Sequence, residues 1–189
     1  ARSFAGYVLH VGRLAPGAAV RLGQKVACRV DYERRSRIAP NHSMTHVLNW
    51  ALRAVLGGDV DQRGSFCDED RLRFDFTCKG PVAPKDLAAV EGLCQKAIEQ
   101  AHPVSAQVVP LAQAMAIPSL RAVFGESYPD PVRVLAIGPH GVGDVVSKPD
   151  DARWSALSLE LCGGTHVNNT AAAQAFTLVQ EEAVAKGVR

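Results

Sequence analysis

His42 and His46 stand four residues apart at the head of an apolar run, Val47 to Gly57. On a helix that spacing stacks both imidazoles on one face, within reach of a single metal ion. Much further along, Cys162-Gly163-Gly164-Thr165-His166 offers a thiolate and a third imidazole, again four apart. Gly163 and Gly164 would let backbone approach closely, as a tight metal loop requires. Nitrogen and sulfur ligands without a carboxylate point to zinc. Either motif alone is weak, because most histidine pairs at this spacing are structural; the combination carries the reading. No Gly-x-Ser-x-Gly elbow and no phosphate-binding loop is present. The residues alone therefore allow a zinc hydrolase acting on an activated ester, or a domain that zinc merely staples. Glu160, two residues before Cys162, is a candidate general base, and His10, His102 and His140 read as ordinary surface or partly satisfied residues.

Local patterns predict the elements that must position these groups. Asn41 is a good N-cap and Gly57 a good C-terminal stop for the helix that carries His42 and His46. Its apolar face (Val47, Leu48, Ala51, Leu52, Val55) leaves both histidines at an edge, at the rim of a cleft. A second helix is predicted over 84–102 from the stripe Leu87, Val90, Cys94, Ala97, Ile98 and Ala101. Strands are predicted over 6–12, 24–32, 70–77, 104–109, 132–137, 155–161 and 175–179, the sixth of them delivering Cys162. Gln62-Arg63-Gly64-Ser65 reads as a turn, 111–124 as a short helix broken at Pro118, and 138–152 as a loop. The charged run 31–37 reads as a solvated strand exit. The fold class that follows is α+β: an antiparallel sheet packed with two main helices, plus the remnant of a small β-rich N-terminal lobe.

Composition sets the bounds. With 189 residues the chain can bury a substantial core, as one domain or two small lobes. Lys and Arg number 21 against 19 Asp and Glu, so any nucleic-acid contact must come from a local patch and not from the global field. Five cysteines, odd in number and irregularly spaced, fit a reducing compartment better than a disulfide framework. No run approaches the ~18 apolar residues of a membrane helix. No initiator Met opens the chain and no stop signal closes it, so it reads as a fragment of something longer.

The set Asn41-His42-Ser43-Met44-Thr45-His46, Gln62-Arg63-Gly64-Ser65, Asp70-Arg71-Leu72-Arg73-Phe74-Asp75-Phe76 and Leu161-Cys162-Gly163-Gly164-Thr165-His166-Val167 closely resembles the editing domain of alanyl-tRNA synthetases. The resemblance spans essentially the whole chain. Tyr128-Pro129-Asp130-Pro131-Val132-Arg133-Val134, with Leu120-Arg121-Ala122-Val123-Phe124, is most similar to the eukaryotic cytosolic enzymes. Free-standing alanyl-tRNA editing proteins and the threonyl-tRNA synthetase editing domain share the fold, but Cys-Gly-Gly-Thr-His favours the alanyl branch.

The resemblance implies a cytoplasmic deacylase that clears Ser-tRNA(Ala) and Gly-tRNA(Ala) and spares the alanyl ester. It implies zinc on His42, His46, Cys162 and His166, with Thr45 and Gln62 reading the amino acid and Gly163 and Gly164 in the substrate loop. The implied partners are the acceptor end of tRNA(Ala) and the rest of a synthetase chain, with no membrane. Arg34, Arg35, Arg37, Lys186 and Arg189 are candidates for tRNA phosphates. The division it implies is 1–37 as the C-terminal part of a β-rich lobe and 38–189 as the zinc-binding editing domain. The competing readings are a free-standing editing protein and a zinc-stapled tRNA binder without hydrolysis. Met44 stands where the family more often has a smaller residue, and the Gly-Gly-Gln segment, aminoacylation domain and C-terminal domain of the family are not in the sequence.

Overall fold

Asp31 caps the longest helix, α1 (Tyr32–Leu56): its carboxylate accepts a hydrogen bond from the Arg34 amide at 2.9 Å, and Glu33 adds negative charge to the first turn. The charged run expected as a strand exit is therefore the start of this helix, supported by the Glu33–Arg37 pair at 3.6 Å. Pro40 lies inside the helix rather than before it, and Asn41 is an interior residue whose amide donates to the Asp68 carbonyl at 2.8 Å. A proline deletes one rung of the helical ladder. Here the turns ahead of it are held by their own cap and charge pair, so the helix continues across. Gly57 ends it as predicted, with φ +99° and its amide bonded to the Arg53 carbonyl at 3.0 Å.

The structure is a computed structural model that describes every residue except 1, 5, 6, 123–126 and 157, and only the backbone of 2–4 and 7–8. It divides into two units, Ala1–Val30 and Asp31–Arg189. In the first, β1 (Arg2–Phe4) and β2 (Tyr7–Leu9) pair antiparallel; Gly6, the expected start of the second strand, lies outside the described residues. The strand expected over 24–32 is not formed. Its alternating Val26 and Val30 are exposed, so that periodicity has no face to bury.

In the second unit the C-terminal half of α1 is buried. Met44, Val47, Leu48, Ala51 and Leu52 pack against Val90, Cys94, Ala97 and Ile98, the predicted stripe of α2 (Pro84–Glu99). Beneath them lie Phe74 and Phe76 of β4, which pairs antiparallel with β3 (Gln62–Cys67; β4 is Leu72–Phe76). Gln62–Ser65 is thus strand, not turn. The glycine that signals a turn instead sits at an irregularity, where the register shifts between Gln62 and Gly64.

A three-stranded antiparallel sheet forms the other layer: β5 (Val104–Val109), central β6 (Val132–Ile137) and β7 (Ser158–Leu161). Alternation along β6 sends Leu135 and Ile137 into the α1–α2 core. It sends Val132, Val134 and Ala136 into a second core with Trp154 and Leu159. That second core also takes Ala114 of α3 (Leu111–Met115) and Val142 and Val145 of α4 (Val142–Ser147), so the expected loop over 138–152 contains a helix. The end of the helix-and-break segment, and Leu157 of the predicted strand, lie outside the described residues. The last expected strand, 175–179, is extended chain without a sheet partner. Glu91 of α2 accepts from the Leu178 amide and Thr177 hydroxyl, and Gln95 donates to the Phe176 carbonyl, so helix side chains replace the ladder.

Thr170 is fully buried where the tail crosses the end of α2, donating to the Ala97 carbonyl at 2.6 Å and accepting from the His102 amide at 2.8 Å. Thr170→Val keeps the shape and strands both partners. Its expected cost is about 2 kcal/mol in urea unfolding.

Candidate metal centre

The middle of α1 carries His42 and His46, β7 ends at Leu161 to present Cys162, and the following loop returns His166. Their four ligand atoms all lie within 4.8 Å of one another. The three imidazole centroids are 5.1, 4.4 and 5.0 Å apart. His46 is buried rather than at a rim, and the other three are half-buried.

Each imidazole is oriented through one nitrogen. His42 Nδ1 lies 3.2 Å from the Thr165 carbonyl, His46 Nδ1 2.5 Å from Glu160 Oε2, and His166 Nδ1 3.2 Å from Ser43 Oγ. The opposite nitrogens are left over: Nε2 of His46 and of His166 are buried without any partner. His42 Nε2 sits 3.6 Å from Cys162 Sγ. A tetrahedral zinc with Zn–S about 2.3 Å and Zn–N about 2.0 Å separates such a pair by about 3.5 Å. Two orphaned buried nitrogens beside a sulfur at this spacing fit a metal, since burying unpaired imidazole nitrogens is otherwise costly.

The sulfur is prepared as an anion. Burial resists its ionisation, but the three imidazoles gathered around the sulfur outweigh burial and bring the Cys162 thiol down to about 3. Burial likewise opposes a charge on His46, yet the Glu160 carboxylate and Cys162 lift it to about 10. Burial holds His166 below the ordinary imidazole value. The Gly164 amide also donates to Cys162 Sγ at 3.4 Å.

The loop is clamped from β6. Arg133 donates to the Cys162 and Gly164 carbonyls, both at 2.8 Å, and its own carbonyl accepts from the Cys162 amide. Of the two loop glycines, only Gly164 is sterically required: a Cβ there would overlap the His42 ring, whereas one at Gly163 meets nothing within 4 Å. Ser43, fully buried, accepts from the Val167 amide at 3.1 Å and so ties α1 to the far side of the loop.

Glu160 is not free to act as a general base. His46 takes one of its oxygens and Asn49 Nδ2 the other, at 2.7 Å. Its position is that of a ligand-orienting carboxylate, a role the sequence signals only through Asn49, three residues after His46 on the same helical face. Ser43 and Arg133 carry no comparable sequence signal. Glu160→Gln preserves the shape and removes the charge behind His46. Zinc affinity, measured by chelator competition, is expected to fall ~10–100-fold.

The remaining expected residues are dispersed. Thr45 is buried and its hydroxyl donates to the Asn41 carbonyl at 2.9 Å. Met44 is buried in the α1–α2 core. Gln62 Nε2 donates to Ser65 Oγ at 3.0 Å, and Gln62 lines an open cleft with Asn49, Arg53, Asp61, Arg121 and Glu160. None of the four metal-site residues lines that cleft; Glu160 is the shared wall. Arg34 pairs with Glu69 at 3.2 Å, Arg37 with Glu33, and Arg189 with Glu181, while Arg35 lies over the Tyr32 ring at 5.4 Å. Lys186 is exposed in a C-terminal turn. All five cysteines are free, and among the described residues no helix is long and apolar enough to cross a membrane.

Comparison with known proteins converges on one group. Residues 132–189 match the threonyl and alanyl tRNA synthetase second additional domain, a match that includes Cys162 and His166. The chain is 44% identical over 187 residues to a cytoplasmic alanine–tRNA ligase of Dictyostelium discoideum, covering 98% of the chain and 20% of the relative. It is 42% identical over 184 residues to a mitochondrial alanine–tRNA ligase of Saccharomyces cerevisiae, covering 97% and 18%. It is 43% identical over 184 residues to an alanine–tRNA ligase of Chelativorans sp., covering 97% and 20%. The chain thus spans about a fifth of the length of the curated relatives it matches.

Proposed function

This chain belongs to the alanyl-tRNA synthetase group, with residues 132–189 as its second additional domain, and on that premise we propose that it hydrolyses the aminoacyl ester of mischarged tRNA(Ala). Serine and glycine are released; alanine is spared. The observation that carries this reading is the cluster of His42, His46, Cys162 and His166, with two buried nitrogens unpartnered. These residues would hold zinc, which would supply Lewis acidity toward the ester or its amino group.

The chain's own groups supply selectivity. Serine exceeds alanine by one hydroxyl, which an apolar pocket rejects only ~10²-fold. A second site must therefore bind that hydroxyl. Thr45, whose proton is spent on Asn41, keeps lone pairs to accept it. Gln62 donates through Nε2 and keeps its carbonyl oxygen, and Asn49 Oδ1 is buried without a partner in the wall of the same cleft. An alanyl ester would leave such acceptors unpaired, which is the stronger kind of discrimination. The partners are the acceptor end of tRNA(Ala) and the remainder of a synthetase chain, in the cytoplasm.

The test is serine release from Ser-tRNA(Ala) by the zinc-loaded full-length protein, with Ala-tRNA(Ala) as control. Release confined to the seryl ester supports the reading. A protein that binds Ser-tRNA(Ala) and protects its ester would instead be a zinc-stapled tRNA binder.

A further inference from the structure

Sharing Arg53, Arg121 and Glu160 with the Gln62 cleft is a second pocket, lined also by Trp50, Ser119 and Ser155. Two guanidinium groups meet there. Arg53 is fixed by its terminal nitrogens, which donate to the Gly58 carbonyl at 2.7 Å and to the Val60 carbonyl, and reach Asp61 at 3.4 Å. Its Nε is buried and has no partner. Ser119 Oγ, in the same wall, is also buried without a partner. Arg121 is pinned by backbone to β7, donating to the Leu159 carbonyl at 2.8 Å and accepting from the Leu161 amide at 3.0 Å. Its half-buried guanidinium has no hydrogen-bond or ion-pair partner among the described residues. Burial and the Arg53 charge press its pKa down, partly offset by Glu160 and Asp61.

A pocket that gathers two cations and a hydroxyl, with donors left over, is incomplete without an anion. Glu160 cannot complete it, because both its oxygens are already taken. The Asp61 carboxylate is over half exposed and already pairs with Arg53.

We infer that Arg121, with Arg53 Nε and Ser119 Oγ, forms a subsite for a phosphodiester of the substrate's 3′ end, beside the centre that meets the ester. This deepens the deacylase reading and rests on it. A backbone phosphate fits because it is recognised without reference to base and fixes register. The bases then remain free, and the aminoacyl end is steered toward Gln62 in the adjoining cleft, whose Glu160 wall backs His46.

The discriminating probes are non-hydrolysable 3′-seryl amides of adenosine, which lacks a phosphodiester, and of the dinucleotide CpA, which has one. Each is titrated calorimetrically into the zinc-loaded full-length protein and its Arg121→Gln and Arg121→Lys variants. Because the Arg121 side chain makes no hydrogen bond to another described residue, neither variant should disturb the fold. The wild type should bind the CpA amide at least ~10-fold tighter than the adenosine amide. Arg121→Gln should abolish that preference without changing adenosine-amide affinity, Arg121→Lys should restore part of it, and the salt dependence for CpA should flatten by ~0.7 in log–log slope. Equal affinity for both probes, or equal losses on both in Arg121→Gln, overturns the phosphate subsite. Serine release from the corresponding esters by wild type reports separately on deacylation, so binding without release would sink that reading and leave the subsite standing.

Discussion

Cys162→Ala in the full-length protein is expected to abolish measurable serine release from Ser-tRNA(Ala) and to strip zinc from the domain. The sulfur is the only charged ligand in the set once the histidines are neutral, and it lies within 4.8 Å of a ring nitrogen of each imidazole. Structural zinc sites with four ligands bind with ~10–16 kcal/mol in all. Losing one ligand, and the anionic one, should remove about 3 kcal/mol or more, a weakening of ~10²-fold. Because metal binding is linked to folding, the melting temperature should drop and become independent of added chelator. Chelator-sensitive melting in wild type that persists unchanged in Cys162→Ala would mean the metal sits elsewhere.

The second large effect separates two adjacent glycines. Gly164→Ala is expected to weaken zinc binding by ~10²-fold or more, and Gly163→Ala to leave it within about twofold. A methyl group on residue 164 would occupy the space of the His42 ring. The loop cannot retreat, because Arg133 holds the carbonyls on both sides of Gly163. The ring must therefore leave its hydrogen bond to Thr165 and its place beside the sulfur. Neither glycine has a positive φ, so close approach alone distinguishes them. Equal zinc affinity in the two variants would show that the loop yields after all.

These contrasts mark what the sequence could and could not convey. The gathering of His42, His46, Cys162 and His166 was legible because i, i+4 spacing on a helix has one geometric meaning, and because residue type narrows the metal such a group could hold. The orienting carboxylate was misread: Glu160 near a metal loop looks like a base, and only its bonds to His46 and Asn49 reveal otherwise. Local signals failed where tertiary packing outweighed them. Asn41 mimics an N-cap, but Asp31 caps the true helix ten residues earlier. Gly64 mimics a turn, but pairing with β4 absorbs it as an irregular strand. The alternation over 175–179 resembles a strand, but Glu91 and Gln95 claim its backbone groups. The pocket shared by Arg53 and Arg121 had no sequence signature at all, since 68 residues separate the two.

The contacts between His42 and Cys162, and between Ser43 and His166, bridge separations of 120 and 123 residues. During synthesis at ~5–20 residues per second, the two histidines of α1 are made roughly 6–24 s before the cysteine. For that interval the nascent chain offers a metal only an incomplete pair of imidazoles. Closing so long a loop is entropically unfavourable until β6 and β7 have paired and set the loop in place. Zinc capture is therefore a late event in the life of each chain, and a chain halted before residue 162 can never be rescued by metal.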